Sequence, residues 1–132
     1  TALGIYGHLQ EGFTNPLYPD GLPVGYQESV VPGPATILST IDGNGIRAYS
    51  VEIVQTARQL SPAQKSMVIR VTDPVLLEKT GGIVQGMSGS PILQNGRIVG
   101  AVTHVFVDDP TRGYGLYIEW MLQTAQEMDD AA

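Results

Sequence analysis

The pair Asn95-Gly96 limits most strongly how this chain folds, because it separates two largely apolar runs. Residues 91–94 precede the pair and residues 97–107 follow it, and Asn-Gly favours the type I′ turn that joins two antiparallel strands. The second run is long and mostly apolar, so we expect it to be a central strand of a sheet. The sequence therefore predicts a β-hairpin with its second strand deep in the fold.

Turn-forming residues recur along the rest of the chain, which has sixteen glycines and nine prolines. Turns this frequent favour short strands over the long helices of a helical bundle. Turn-forming residues are densest in the first 34 residues, which we expect to be mostly loop. The predicted fold class is therefore mainly all-β, as one domain over residues 1–132. The expected strands are 35–41, 46–54, 66–71 and 115–118, and the expected helices are 74–80 and a short C-terminal one over 119–128.

Charge and composition exclude several classes of function. Seven basic against thirteen acidic side chains give a net charge of −6, which repels phosphate backbones and predicts no nucleic-acid partner. The chain has no cysteine, so it has neither a disulfide framework nor a thiolate nucleophile. No run reaches the length of a membrane span, and no signal peptide opens the printed sequence. Asp108 and Asp109 resemble a turn more than a metal pair, so we expect neither a metal nor a cofactor.

Residues 86–91, Gly-Met-Ser-Gly-Ser-Pro, are typical of a nucleophile loop. A serine that attacks a carbonyl sits on a tight turn whose backbone N–H groups stabilise the resulting oxyanion, and glycine permits the positive φ angles of such a turn. Gly86 and Gly89 bracket Ser88 in this way. We therefore predict Ser88 as the nucleophile, with the N–H groups of Gly86 and Ser88 as the oxyanion donors. Glycine and serine also cluster in ordinary turns, and that alternative stays open at this point.

The residues that follow the loop favour the catalytic interpretation. A strand, the Asn-Gly turn and a second strand come directly after it, as they do after the Gly-Asp-Ser-Gly-Gly-Pro signature of the chymotrypsin fold. The α/β-hydrolase motif Gly-x-Ser-x-Gly fits less well, because position 90 is serine and a strand follows. By analogy with the chymotrypsin cleft, Thr103 is expected near the acid of the triad and His104 beside the primary specificity pocket. Both are predicted to line the substrate cleft.

Several longer segments resemble the stage IV sporulation protein B serine peptidases of endospore-forming bacteria. The resemblance covers most of the chain and is weakest over the first thirty or so residues. Its marks are Gly-Ile-Val-Gln-Gly-Met-Ser-Gly-Ser-Pro at 82–91, Gly-Ala-Val-Thr-His-Val-Phe-Val at 100–107, Asp-Pro-Thr at 109–111 and Ile-Glu-Trp-Met-Leu at 118–122.

The resemblance implies a secreted, chymotrypsin-like endopeptidase. Its members act between the two membranes around the forespore and cleave a membrane-bound regulatory protein, which releases sigma-factor processing. The family's nucleophile falls on Ser88, and its triad acid, fifteen residues earlier, falls on Asp73. The family's histidine lies in an Ala-Leu-Gly-His segment, whereas here Ala2-Leu3-Gly4 is followed by Ile5. Two alternatives remain: His8 is the base, or the base lies upstream of residue 1, which we favour.

Chain length adds a structural expectation. A complete two-barrel serine peptidase needs roughly 200 residues, so 132 residues suggest the C-terminal part of a longer catalytic unit. We expect an incomplete or strand-swapped barrel, whose open edges would pair with a second copy in a homodimer. The alternative function is a catalytically incomplete module that binds a peptide or protein partner.

Overall fold

The computed structural model describes residues 1–12 and 14–131. After a short 3-10 helix at Gln27–Ser29, six strands and two helices follow in the order β1, β2, β3, α1, β4, β5, β6, α2. Their bounds are β1 Gly33–Ser39, β2 Arg47–Thr56, β3 Met67–Val71, α1 Pro74–Thr80, β4 Pro91–Gln94, β5 Arg97–Val105, β6 Arg112–Tyr117 and α2 Ile118–Ala131.

The six strands form one closed antiparallel barrel in the order β1-β2-β3-β6-β5-β4. Closure comes from β1 and β4, where Thr36 is opposite Leu93 and Ile37 is opposite Ile92. The mainly all-β prediction is confirmed, and so is the chymotrypsin-like barrel with its C-terminal helix. The expected open barrel edges do not occur in the described residues, because the chain closes on itself. The reason for expecting a strand-swapped homodimer is thereby removed.

Isoleucine side chains fill the interior of the barrel. They reach it because alternate residues of each strand point inward. Ile37, Ile53, Ile69 and Ile92 lie on β1, β2, β3 and β4, and each is completely buried. Burial of one such side chain stabilises the fold by about 1.5–3 kcal/mol. The core of these branched side chains is rigid, and it supports the loops at the mouth of the barrel.

The local predictions agree with the structure in most places. Asn95 and Gly96 both have positive φ, 52° and 74°, as a type I′ turn requires, and β5 lies between β4 and β6 as expected of a central strand. Helix α1 has the predicted bounds. Strand β5 ends at Val105 instead of Val107, since Val107 is fully exposed and has no core to pack against.

Helix α2 covers part of the outer face of the barrel and is anchored by a buried polar network. Gln59 Oε1 accepts hydrogen bonds from Trp120 Nε1 at 2.8 Å and from Ser66 Oγ at 2.9 Å. Ser66 Oγ in turn accepts from the backbone N–H of Tyr117, at the junction of β6 and α2. In the described part of the chain, no helix is both long and apolar enough to span a bilayer.

Candidate active site

Two backbone hydrogen bonds hold the loop that carries Ser88 across the mouth of the barrel. At one end Ile83 N donates to Pro110 O at 2.7 Å, and at the other Gly89 N donates to Val102 O at 2.8 Å. The first contact is so close that a Cβ on Gly82 would lie 2.1 Å from Pro110 O, and therefore only glycine fits there. The loop is thus held between the β5–β6 hairpin and strand β5.

The backbone of this loop leaves the two predicted oxyanion donors without partners. Met87 N donates to Val84 O and Ser90 N donates to Met87 O, whereas the N–H groups of Gly86 and Ser88 have no acceptor among the described residues. Positive φ angles of 99° at Gly86 and 90° at Gly89 turn the backbone on both sides of Ser88. Backbone N–H groups without an acceptor, on the same turn as a serine hydroxyl, are what an oxyanion site requires.

The side chain of Ser88 is exposed and contacts the bulge in strand β5. Its Oγ donates to the carbonyl oxygen of Thr103 at 3.1 Å. The register of β5 against β6 shifts between Val102 and His104, so Thr103 is the extra residue of a β-bulge. The bulge leaves the Thr103 carbonyl available to Ser88, and Thr103 Oγ1 donates to Tyr114 O at 3.2 Å.

An outer cavity of about 600 Å³ opens beside the serine, on the outside of the barrel. Predicted site residues Ser88, Thr103 and His104 all line it, so the structure brings these three together. Its walls are mainly apolar and come from β5, β6, α2 and the N-terminal residues 1–7; they include Leu3, Gly89, Ala101, Leu116 and Met121. Residues 1–7 lack a periodicity that would place them in the fold, and the sequence signal for their position was the resemblance of Ala2-Leu3-Gly4 to the segment that precedes the family's histidine.

Both histidines are exposed and engaged elsewhere in hydrogen bonds. His104 Nδ1 lies 3.0 Å from Thr103 Oγ1. His8 Nε2 lies 3.0 Å from Asp129 Oδ1 on α2, and His8 is not among the residues that line the outer cavity. Neither imidazole is hydrogen-bonded to Ser88 Oγ, whose recorded partner is Thr103 O.

Asp73 caps the N-terminus of α1 instead of lining the outer cavity. Its Oδ1 accepts from the N–H groups of Val75 at 2.9 Å and Leu76 at 3.2 Å, and its Oδ2 accepts from Ser50 N at 3.0 Å. Partial desolvation raises the pKa of Asp73, but the hydrogen bonds from Ser50, Leu76 and Val75 outweigh it and hold the pKa below its ordinary value. Asp73 is thus a charged cap, with one acceptor position of Oδ2 still open.

In the described residues, no three His, Cys, Asp or Glu side chains are grouped so that they could hold a metal ion. Asp109 is instead the turn residue that the sequence predicted: its Oδ1 accepts from the Thr111 N–H at 3.0 Å and from the Thr111 hydroxyl.

The closed barrel, with a serine on the loop before its fourth strand, is the architecture of chymotrypsin-like protease domains. Solved structures of the Rv3671c protease of M. tuberculosis share this fold. The active form is 20% identical, with a TM-score of 0.59, and the match covers 82% of this chain and 48% of that chain. An inactive form with a serine-to-alanine mutation is 17% identical, with a TM-score of 0.62 over 87% of this chain and 56% of that chain. The chain thus spans about half the length of these proteins.

The family assignment is more specific than the shared fold. The model of the family described as SpoIVB peptidase S55 matches residues 1–122, and the chain belongs to that family. A comparison with curated proteins finds no match.

Proposed function

We propose that this chain is the nucleophile-bearing part of a serine endopeptidase. One observation carries the proposal: the exposed hydroxyl of Ser88 lies beside two backbone N–H groups, of Gly86 and Ser88, that have no acceptor among the described residues. Membership of the SpoIVB peptidase S55 family and the protease fold support the same reaction class.

The reaction follows from this arrangement. Ser88 Oγ attacks the carbonyl carbon of the scissile peptide bond while its proton passes to a histidine base, and the N–H groups of Gly86 and Ser88 stabilise the oxyanion that forms. As the C–N bond breaks, the imidazolium returns that proton to the leaving amine. A water molecule then gives a proton to the same histidine while its oxygen attacks the acyl carbon. As the ester C–O bond breaks, the imidazolium passes that proton to Ser88 Oγ, which restores the hydroxyl and releases the acid product.

We assign the base to a histidine outside these 132 residues. His8 contacts Asp129 and His104 contacts Thr103, so neither histidine is hydrogen-bonded to Ser88 Oγ. The partner of Ser88 Oγ is a carbonyl oxygen, which cannot accept a proton at neutral pH. The chain spans about half of its structural neighbours, which leaves room for a further segment. The outer cavity beside Ser88 is the space through which such a segment would reach the hydroxyl.

For Asp73 we propose the orienting role that the family resemblance implies. Its lowered pKa supports a charged carboxylate at neutral pH, and the open acceptor position on Oδ2 is available to an imidazole N–H. Its three backbone hydrogen bonds give it a second role as a helix cap. These two roles require separate tests.

Family membership supports a proposal about the substrate and its location. We propose that the full-length protein is secreted between the forespore and mother-cell membranes and cleaves a membrane-bound regulatory protein that controls sigma-factor processing. The net charge of −6 agrees with a protein substrate rather than a nucleic acid.

A serine-directed fluorophosphonate probe tests the proposed nucleophile. We expect the full-length protein to be labelled at Ser88, and we expect Ser88→Ala to abolish both labelling and proteolysis. Ser90→Ala is the matched control, because Ser90 lies two residues away on the same loop but is buried. Proteolysis that survives Ser88→Ala would show that another residue is the nucleophile.

The engagement of both histidines favours one other candidate function, a non-enzymatic module that binds a peptide in the outer cavity. That function predicts no turnover by the full-length protein and no fluorophosphonate labelling. It also predicts that Ser88→Ala leaves partner binding unchanged.

A further inference from the structure

Two apolar side chains of the nucleophile loop point into the barrel while Ser88 points out. Ile83 is 4% exposed and Met87 is 2% exposed, and both belong to the core cluster. Met87 is held in place by its own loop, since Val84 N donates to its Sδ at 3.4 Å. The loop therefore closes the mouth of the barrel directly beneath the serine.

The tip of Ile83 lies against strand β6 and the backbone of the β5 bulge. A Cβ built on Gly113 would lie 2.7 Å from Ile83 Cδ1 and 2.5 Å from His104 O. Ile83 thus fills the space between the nucleophile loop and the end of β5, and only glycine at position 113 leaves room for it. A large substrate side chain, such as that of Leu, Phe or Arg, could enter this space only if Ile83 moved.

A substrate would present a side chain to this same space. Backbone pairing of β5 with β4 ends near Val102, where Gly89 N bonds to Val102 O. The next carbonyl, Thr103 O, accepts from Ser88 Oγ, and beyond it no strand of the described residues pairs with β5 on that side. A peptide whose carbonyl oxygen is held by the N–H groups of Gly86 and Ser88 lies along that side of β5. The side chain of the attacked residue then points between the loop and Thr103-His104.

The outer cavity is the other space beside Ser88. Side chains alternate across β5 and β6: Val102 pairs with Gly115 on the inner face, where a Cβ on Gly115 would lie 2.6 Å from Ile92 Cδ1. Ala101 pairs with Leu116 on the opposite face; these two line the outer cavity, as does Val102. The cavity is on the side toward which Ser88 Oγ points, where the base must approach.

The inference about Ile83 rests on the proposed function. We propose that Ile83 restricts the residue on the acyl side of the scissile bond to glycine, alanine or serine. Ile83 acts by occupying the space that a larger side chain would fill.

Peptidyl diphenyl phosphonates test this specificity without knowledge of the natural cleavage site. A series Ac-Ala-Ala-X, in which X is the phosphonate analogue of Gly, Ala, Leu, Phe or Arg, is reacted with the full-length protein, and the labelling rate at Ser88 is measured. We expect the Ala probe to react roughly 100-fold faster than the Leu and Phe probes. Ile83→Ala should raise the rates of the Leu and Phe probes at least about tenfold while the Ala rate stays nearly constant.

Ile69→Ala is the matched control, since it removes the same atoms from the same core at a completely buried position on β3. It should leave the order of the probes unchanged. Ile83→Val is a milder variant in case Ile83→Ala does not fold, and it should shift the Leu rate in the same direction. Wild-type labelling that is fastest with Leu, Phe or Arg overturns the specificity inference alone. If neither these probes nor a fluorophosphonate labels the full-length protein at Ser88, the proposed function is overturned as well.

Discussion

Ser88 Oγ donates its hydrogen bond to the carbonyl oxygen of Thr103, 3.1 Å away. The bulge in β5 makes this carbonyl available, so the serine hydroxyl is held at the edge of the outer cavity in a defined direction. A base that removes the Ser88 proton must replace Thr103 O as the acceptor. The contact therefore marks the position that a catalytic histidine would take.

The loop glycines give a prediction about catalysis. Gly86→Ala places a Cβ on a residue with a φ of 99°, which costs about 1–2 kcal/mol and displaces the Gly86 N–H from the oxyanion position. We expect kcat of the full-length protein to fall by about 10²–10³-fold. Gly96→Ala is the control, because φ there is 74° in a turn distant from the outer cavity; it should cost similar stability and leave kcat unchanged. Equal kcat losses in both variants would contradict an oxyanion role for Gly86.

Asp73 gives a prediction about stability. Asp73→Ala removes the acceptor for the N–H groups of Val75, Leu76 and Ser50, and we expect the free energy of unfolding to fall by about 1–2 kcal/mol in a denaturant titration. Asp73→Ser keeps a capping oxygen for α1 and should recover much of that loss.

The serine variant also separates the two proposed roles of Asp73. An orienting carboxylate predicts that Asp73→Ser lowers kcat by about 10⁴-fold in a protein that still folds. Turnover that is retained in Asp73→Ser would leave Asp73 as a helix cap and remove it from the triad.

The ion pair between Asp42 and Lys79 gives a prediction about acid stability. A hydrogen bond from Lys79 Nζ at 2.6 Å, together with the N–H of Asn44, lowers the pKa of Asp42 to about 2. Because the folded-state pKa is below the unfolded one, the stabilisation is present above pH of about 4 and is lost as the pH falls toward 2. We expect Asp42→Asn to make the loss of stability between pH 4 and 2 shallower, as followed by Trp120 fluorescence. Asp20→Asn, which removes an exposed carboxylate with no ion pair among the described residues, should retain the wild-type pH profile.

Gln94 gives a prediction about the connection between the N-terminal segment and the barrel. Its buried amide donates to Val31 O at 2.8 Å and to Pro34 O at 3.2 Å, and it accepts from Val31 N. Gln94→Leu should lower the free energy of unfolding by about 1–3 kcal/mol, since it leaves part-buried backbone groups of Val31 and Pro34 without their partner. Gln123→Leu, on the exposed face of α2, should change it by less than about 0.5 kcal/mol. Similar stability losses in the two variants would contradict this role.

Much of the local structure was predictable because it depends on neighbouring residues. Asn95-Gly96 specifies its own turn, and Pro74 with Gly81 sets the limits of α1 through their backbone preferences. The serine loop was predictable for the same reason, since Gly86 and Gly89 permit the positive φ angles beside Ser88.

The outer cavity was less predictable, because its walls are far apart in the sequence. Residues 1–7, β5, β6 and α2 meet there only after the barrel has closed, and the N-terminal segment has no periodicity to reveal its position. The two histidines likewise could not be placed from local pattern: the contact of His8 with Asp129 joins residues 121 positions apart.

The sequence by itself determined the strands, the turns and the nucleophile loop, because backbone preference and alternating burial act over a few residues. Only the tertiary structure decided that β1 pairs with β4, so that the barrel closes within one chain and leaves no open barrel edge among the described residues. It also decided that Ser50 N donates to Asp73 Oδ2 and that Ile83 packs against Gly113. These features depend on contacts between distant segments, whose free energy appears only when the closed barrel holds the segments together.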